Sequence, residues 1–357
     1  MTDYSSLNLT RLGWGLALPV FFLCAIGLAS IHATELGDVS STPSGPAAVA
    51  PRTAPHTALL RAIGPQTLRH GLFILTGLLM MAAAIVPAYQ KIGRFAFPIY
   101  WLVILLLGLL VVGSYVALPF VPEVRKTHRW IGLGPLRIQP SEFMKIAIIL
   151  ALARYLRYRD NYREWHGLIA PFLLTLLPMV LILKQPDLGT LLMLLPVLFA
   201  MLFVAGARKG HLLLIIMLGV AIAPVFYAFG LQPYQKKRIQ SLFRQTTSNE
   251  AWRMNQGYQL RQSKVALGTG GLTGKGYGEG TFVRYNLLPE KSNDFIFAVI
   301  GHQWGFLGCL LVLAAYGAIV LFGIEVATAT NEPFGRLLAI GVIVMIVVQA
   351  LLNIGMT

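Results

Sequence analysis

The sequence predicts an all-α polytopic membrane protein, and two observations lead to this prediction. Hydrophobic residues make up 56% of the 357 residues and charged residues only 12%, whereas a soluble domain carries roughly 25% charged residues. The apolar residues form nine stretches, most of them about as long as the 17 to 25 residues of a spanning helix. Because these stretches do not alternate apolar with polar residues, they argue against a transmembrane β-barrel.

Nine transmembrane helices are therefore predicted. In chain order they cover residues 12–31, 70–88, 96–117, 140–156, 167–183, 188–206, 212–230, 294–324 and 337–356. The eighth is longer than one crossing requires and must tilt or protrude. The first is predicted to be a retained helix rather than a signal peptide, because its apolar run is longer than an h-region.

Two long segments separate these helices. Residues 33–69 are rich in Ala, Pro, Ser and Thr and show no periodicity, which predicts a flexible outer linker. Residues 231–293 are predicted to form one large extracytoplasmic loop. The chain as a whole, 1–357, is predicted to be a single membrane domain.

Basic residues between the helices determine the predicted orientation. Segments 90–94, 154–163 and 208–211 carry two, four and two Lys or Arg residues. Such residues favour the cytoplasmic side, so the N-terminus is predicted to be cytoplasmic. The bias is incomplete, because segment 125–137 places four basic residues on the predicted outer side.

Three ionisable residues are predicted to lie at membrane depth, where a charge is costly and usually functional. Glu142 and Lys145 are three residues apart on one helical face. A lysine in the first turns opposes the helix dipole, so it must meet an anion: Glu142, Asp187 or a ligand phosphate. The alternatives are a structural ion pair for Lys145 and a turn-capping role for Asp187, which follows Gln185 and Pro186.

The 231–293 loop carries an unusual charge and composition. It contains ten basic residues against three acidic ones, and six glycines fall within residues 268–278. Gly-rich backbone next to a lysine can approach a phosphate, but the spacing is not that of a P-loop. Basic residues confined to loops also make nucleic acid a poor partner. The loop favours an anionic lipid-linked substrate, and a loop that rests on lipid headgroups is the alternative.

Other polar or reactive residues give weaker signals. Arg129 and Trp130 place a cation and an indole at the predicted outer interface, where an aromatic anchor is a common alternative. His302 is more often a hydrogen-bonded helix residue than a ligand. Cys24 and Cys309 lie within apolar stretches, so no disulfide framework is predicted, and no cluster has zinc-ligand spacing.

Several motifs, in order from about residue 70 to the end, resemble the SEDS proteins, the family of RodA, FtsW and their sporulation relatives. They are Arg129-Trp130-Ile131, Gln139-Pro140-Ser141-Glu142 with Lys145, Gln185-Pro186-Asp187-Leu188-Gly189-Thr190, Gly257-Tyr258-Gln259, Gly268 to Gly276, Leu288-Pro289-Glu290, Asn293-Asp294-Phe295 and Gly305-Phe306-Leu307-Gly308.

The resemblance implies a ten-helix peptidoglycan glycosyltransferase of the bacterial inner (plasma) membrane. Such an enzyme polymerises lipid II during cell-wall elongation or division, beside a class B penicillin-binding protein and among membrane lipids. It implies that Glu142, Lys145 and Asp187 surround the catalytic cleft. The candidate substrate-binding residues are Arg129, Trp130, Lys264, Lys275 and Asp294. No cofactor is certain, and the leaving-group charge could be met by Lys145, by loop cations or by a divalent cation such as Mg²⁺ or Mn²⁺.

The chain departs from the family pattern at two places. The family carries a catalytic aspartate five residues before the Gly-Tyr pair, where this chain has Trp252. Because an indole cannot act as a general base, Glu250 becomes the candidate base. The chain also ends at Thr357 after nine predicted helices, which predicts a C-terminally truncated protein. Two other functions stay open: a catalytically silent partner or scaffold of a penicillin-binding protein, and a lipid-linked precursor flippase.

Overall fold

The structure, a computed structural model, describes residues 9–41, 64–116, 118–123, 127–133, 136–159, 163–230, 258–279 and 294–357, together with Lys236 and Gln240. The helices are α1 (Leu9–Ser41), α2 (Pro65–Ile85), α3 (Tyr89–Arg94), α4 (Ala96–Gly113), α5 (Pro140–Arg157), α6 (Trp165–Lys184), α7 (Leu188–Ala205), α8 (Lys209–Val225), α9 (Tyr258–Thr269), α10 (Ile296–Ala329) and α11 (Pro333–Gly355). A π-helical turn, Phe226–Gly230, continues α8. Strands β1 (Ile131–Leu133) and β2 (Leu136–Ile138) form an antiparallel hairpin.

The all-α polytopic prediction is confirmed. Within the described ranges, eight helices are long and apolar enough to cross a membrane. The predicted span that is missing from these eight is the fourth, 140–156, which corresponds to α5. This helix carries Glu142, Lys145, Arg154 and Arg157 and is therefore too charged to count among the eight. Twelve of its 18 residues are buried, and a helix enclosed by protein tolerates charges that a lipid-facing helix does not.

The chain divides into two compact units. The first comprises residues 1–86, 241–322 and 350–357, and the second comprises residues 87–240 and 323–349. The prediction of one membrane domain stays a prediction.

The core of the second unit is built around α5. Ile148 on α5, Leu107 on α4, Leu198 on α7 and Phe334 on α11 are all fully buried in one cluster. In a bilayer such helices associate through close van der Waals contact, which small residues permit. Gly341 on α11 is such a residue, since a Cβ atom there would lie 2.6 Å from a methyl group of Ile149.

In the first unit, α1 and α2 are joined by a carboxylate cap. Glu35 accepts hydrogen bonds from the backbone N–H groups of Gln66 (2.7 Å) and Thr67 (2.8 Å), and a third from the Thr67 hydroxyl. A carboxylate is stabilised at the positive end of a helix. Both ends of the predicted 33–69 linker are therefore helical rather than irregular. Helix α1 continues to Ser41, and α2 begins at Pro65. The middle of that linker lies outside the described residues.

Candidate functional site

In the second unit, the side chain of Asp187 joins the beginnings of two helices. Asp187 is the N-cap of α7, and its Oδ1 atom accepts a hydrogen bond from the Thr190 N–H at 3.3 Å. Its Oδ2 atom accepts from the Thr190 hydroxyl (2.9 Å), the Gln139 amide (3.2 Å) and the Ser141 hydroxyl (3.3 Å). Gln139 and Ser141 begin α5. The turn-capping role of Asp187 is therefore real, but the carboxylate also fixes α7 against α5.

The two oxygens of Asp187 are not equivalent. A carboxylate offers about four lone-pair positions in all. Among the described residues, Oδ2 accepts three hydrogen bonds and Oδ1 accepts one. Oδ1 is thus the oxygen with room for a further donor, such as a substrate hydroxyl.

The turn that precedes Asp187 is held by Arg129. The Nε atom of Arg129 donates to the carbonyl oxygen of Gln185 at 2.6 Å, and its second donor reaches the carbonyl of Pro186. The Gln185 side chain is buried and donates to the carbonyl of Leu107 on α4 at 3.1 Å. Arg129, predicted to bind substrate, is thus engaged with the backbone next to Asp187, while Trp130 beside it is half-buried.

Lys145 lies on α5 one turn beyond Ser141. Its Nζ atom is 2.7 Å from a carboxylate oxygen of Glu142, and the lysine side chain is 5% exposed whereas that of Glu142 is 52% exposed. Residues four apart share a helical face, so Lys145 and the Ser141–Asp187 contact lie at the same end of α5. The site therefore combines a buried cation, an accessible carboxylate and a second carboxylate fixed by hydrogen bonds.

Local sequence explains why both helices begin here. A Gln-Pro pair stands at the start of each. Pro140 occupies the first helical position of α5, where its fixed φ and missing N–H cost nothing, and α7 begins at Leu188, two residues after Pro186. Sequence reasoning identified Asp187 but missed Gln139, Ser141 and Thr190 as its partners. The three-residue spacing from Asp187 to Thr190, typical of a helix N-cap, could have found Thr190, whereas Gln139 and Ser141 are distant from Asp187 in the chain.

In the first unit, the Gly-rich segment is interlocked with α10. Helix α10 is broken at Gly305, whose φ of 64° and ψ of −159° are not helical. The N–H groups of Lys275 and Gly276 donate to the carbonyls of His302 (2.9 Å) and Gln303 (3.2 Å). In return, the N–H groups of Phe306 and Leu307 donate to the carbonyls of Gly271 (2.8 Å) and Leu272 (3.2 Å). We call residues 270–276 with 301–307 the interlock.

The interlock bears on the phosphate contact predicted for the Gly-rich backbone. The N–H groups of Lys275 and Gly276 in this segment donate to carbonyls that the break in α10 exposes, so these two are already engaged within the protein. Every backbone group at a break must find a partner at membrane depth. The Lys275 side chain is exposed, and its predicted role as a cation that binds an anionic ligand stays a prediction.

Two glycines make the interlock possible. At Gly305 a Cβ atom would lie 2.5 Å from the carbonyl oxygen of Leu272 and would collide with the Gly274 nitrogen. At Gly274, with a φ of 88°, it would collide with the carbonyl oxygen of Gln303. Positive φ and close backbone approach are the two conditions that only glycine meets without strain.

The side chains of His302 and Tyr277, in or next to the interlock, both have polar neighbours. The Nδ1 atom of His302 lies 3.0 Å from the Thr269 hydroxyl and 3.2 Å from the Ala266 carbonyl, which agrees with a hydrogen-bonded helix residue. The Tyr277 hydroxyl lies 2.7 Å from Nδ1 of His32 on α1. Burial raises the pKa of Tyr277 above its ordinary value, so the phenol remains protonated at neutral pH.

The remaining site predictions fall at exposed or undescribed positions. Lys264 on α9 and Asp294, just before α10, are exposed. Glu250 and Trp252 lie outside the described residues. Within the described ranges, no group of three or more His, Cys, Asp or Glu side chains could hold a metal ion. A divalent cation at the substrate diphosphate stays a prediction.

Comparisons with known proteins agree with these motifs. Residues 62–357 match the model of the FtsW, RodA and SpoVE family, described as cell cycle proteins. The chain is 36% identical to peptidoglycan glycosyltransferase MrdB of Escherichia coli K12 over 230 residues, which cover 64% of this chain and 61% of MrdB. It is 32% identical to a probable peptidoglycan glycosyltransferase FtsW of Geobacter metallireducens over 293 residues, covering 80% of this chain and 74% of that protein.

Solved structures share the fold. A chain from a peptidoglycan synthase complex, solved to explain the coordination of polymerization and crosslinking, superposes with a TM-score of 0.73 at 26% identity, covering 96% of this chain and 86% of the other. The rod shape determining protein RodA of Thermus thermophilus gives a TM-score of 0.62 at 25% identity, covering 96% and 84%. The aligned region spans about six tenths of the length of MrdB. With a family match over most of its length, the chain belongs to the FtsW, RodA and SpoVE family of cell cycle proteins.

Proposed function

We propose that the protein is a peptidoglycan glycosyltransferase that polymerises lipid II into glycan strands, in cell-wall elongation or division. The observation that supports this most is the beginning of α5, where Ser141 donates to the carboxylate of Asp187 one helical turn before the buried cation Lys145. The names of the relatives MrdB and FtsW support the same activity.

In the proposed reaction, a sugar hydroxyl of the acceptor attacks the anomeric carbon of the donor. The bond from that carbon to the diphosphate oxygen breaks, the diphosphate leaves with the electron pair, and the hydroxyl proton passes to a carboxylate. Lys145 carries the positive charge that an anionic diphosphate requires. Glu142 is its counter-ion in the described state, and substrate diphosphate would share or replace it.

The carboxylates have distinct proposed roles. Asp187 orients the acceptor through Oδ1, since its other oxygen already accepts three hydrogen bonds. Glu250 is the proposed general base in place of the family aspartate. Lys264, Lys275, Trp130 and Asp294 are proposed to contact the substrate, and Arg129 is proposed to act through the turn that it holds.

The wider setting is also a proposal. An inner-membrane location with the N-terminus in the cytoplasm agrees with the basic segments between the helices, and membrane lipids surround the helices. A class B penicillin-binding protein is the proposed partner, because a similar chain comes from a complex that coordinates polymerization with crosslinking.

The test is polymerisation of lipid II by the purified full chain, with and without the penicillin-binding protein of the same genome. We expect glycan strands of several sugar units on a denaturing gel, and none from the Asp187→Asn variant. Movement of lipid II across vesicles without polymer would instead indicate a flippase. A stable complex with the partner and neither activity would indicate a scaffold.

A further inference from the structure

One end of the second unit is rich in cations. Helix α3, the end of α5 and the beginning of α11 meet there. Glu332, just before α11, forms an ion pair with Arg157 of α5 at 2.8 Å and accepts a hydrogen bond from the Gln90 amide of α3 at 3.1 Å. The Tyr89 ring of α3 also stacks on Phe334 of α11, with ring centroids 6.3 Å apart. The basic residues on these elements, or within two residues of their ends, are Lys91, Arg94, Arg154, Arg157, Arg159 and Arg336.

These cations are not equally engaged. Arg157 is paired with Glu332, and Arg154 lies 5.0 Å from the centre of the Tyr158 ring. Lys91 and Arg94 of α3 are exposed, and among the described residues no acid pairs with them. Three residues apart on a helix, they point in similar directions. They therefore form a two-cation surface open to an external anion.

An apolar cleft begins directly beside these two cations. It has a volume of about 420 Å³ and is lined by Ile92, Phe95, Pro98, Ile99 and Leu102. Ile92 follows Lys91 and Phe95 follows Arg94 in the chain, and the cleft continues along the first two turns of α4. Phe95 and Leu102 are 61% and 58% exposed. The volume falls within the range of roughly 300 to 1,000 Å³ of ligand clefts.

We propose that this cleft and the cations beside it form a binding site for one anionic phospholipid. A single acyl chain lies in the cleft, and the phosphate lies on Lys91 and Arg94. The charge of the site selects the headgroup, because a net negative lipid gains from two unpaired cations near the surface, whereas a zwitterionic headgroup brings its own cation. The wholly apolar lining selects a hydrocarbon chain over a peptide, whose backbone polar groups would lose hydrogen bonds there.

The site is separate from the proposed catalytic residues. Lys145 and Arg157 are twelve positions apart on α5, which corresponds to about 18 Å along the helix axis. A lipid bound at Lys91 and Arg94 would instead hold α3 in place, and α3 contributes Tyr89 and Gln90 to the junction at Glu332. The bound lipid would therefore stabilise the junction of α3, α5 and α11.

The experiment uses the full chain in phosphatidylcholine nanodiscs that contain a small fraction of a photoreactive lipid. Two probes carry the same diazirine-tagged acyl chain, one on phosphatidylglycerol and one on phosphatidylcholine, and mass spectrometry locates the crosslinks. We expect the anionic probe to label residues 92–102 at least about fivefold more than the zwitterionic probe, as two interfacial cations allow. The Lys91→Gln/Arg94→Gln double variant should lose this preference.

A matched control removes the same charge elsewhere. Arg208 and Lys209, at the start of α8, are also exposed and adjacent, and Arg208→Gln/Lys209→Gln should keep the labelling of 92–102. Equal labelling by both probes, or unchanged labelling in the Lys91/Arg94 variant, would overturn the proposal. Displacement of the anionic probe by an equal amount of undecaprenyl phosphate would assign the cleft to an isoprenoid chain and would likewise overturn it.

Discussion

Lys145 and Glu142 form an ion pair in which the cation is buried and the anion is half-exposed, with 2.7 Å between Nζ and the carboxylate oxygen. A cation in the second turn of α5 lies near the positive end of the helix dipole, so it is stable only beside an anion. A diphosphate bound at Lys145, as proposed, would share or replace Glu142 as its counter-ion. The pair is therefore suited to exchange one anion for another.

The first prediction concerns Lys145, near the beginning of α5, and Asp187, the N-cap of α7. Lys145→Ala and Asp187→Ala should each reduce lipid II polymerisation to background while the protein stays in the membrane, because one removes the buried cation and the other the fixed carboxylate. Polymer on a gel and membrane fractionation measure the two effects. Arg137→Ala is the control, since this exposed arginine of β2 should be dispensable. Normal polymer from both variants would show that the active site lies elsewhere.

The second prediction concerns the stability of the pair itself. Glu142→Gln leaves Lys145 buried without its anion and should lower stability by about 1–3 kcal/mol, whereas the double variant Glu142→Gln/Lys145→Met should recover most of the loss. The measurement is the thermal unfolding midpoint in detergent. If the single and double variants melt together, the ion pair does not compensate the buried charge.

The third prediction separates two roles for Arg129. If Arg129 holds the Gln185–Pro186 turn, it acts through Asp187. Arg129→Ala should then lower kcat by about tenfold or more, because a reacting group is misplaced, and should leave KM for lipid II little changed. As a phosphate ligand it would mainly raise KM.

A double-mutant cycle sharpens that test. With the weakened variant Asp187→Glu as background, the added loss from Arg129→Ala should be small, because both changes disturb the same turn. Fully multiplicative losses in the double variant would contradict the positioning role and favour direct contact with the substrate.

The sequence predicted the helices well because their signal is local. Helix α5 was expected at 140–156 and runs from Pro140 to Arg157, and the Glu142–Lys145 pair follows from a three-residue spacing on one helix. Both inferences need only neighbours in the chain.

The long-range contacts of the site could not be predicted in the same way. Gln139 and Ser141 reach Asp187 across 48 and 46 residues, and a single sequence does not show which distant residues meet. Arg129 binds backbone carbonyls, and because every residue has a carbonyl, no residue type marks the partner. The interlock could not be predicted for the same reason, because its hydrogen bonds join backbone N–H and carbonyl groups of the Gly-rich segment and of the break in α10.

The fourth prediction concerns the interlock. Gly305→Ala should cost about 1–3 kcal/mol from backbone conformation alone, and more from the clash with Gly274 and Leu272. Gly268→Ala is the matched control, because it lies in α9 with open space around a Cβ atom and should be neutral or slightly stabilising. Unfolding midpoints and protease cleavage within 270–279 measure the difference. Equal behaviour of the two variants would mean that the break in α10 adapts to a side chain.

The fifth prediction concerns the proton acceptor. If the protein polymerises lipid II, then Glu250, two residues before Trp252, is the proposed substitute for the family aspartate. Glu250→Gln keeps the shape of the side chain and removes its basicity, so the rate should fall on the order of 10²-fold or more. Glu279→Gln provides the control, since Glu279 is an exposed acid at the end of the Gly-rich segment and has no assigned role. Single-turnover rates are the right measurement, because they separate the chemical step from release of the growing strand.

A Glu250→Gln variant with a nearly unchanged rate would shift the role to Glu290 or Asp294. If those variants were also unaffected, the proton would have to pass to Asp187, whose Oδ1 atom is the one with room to accept it.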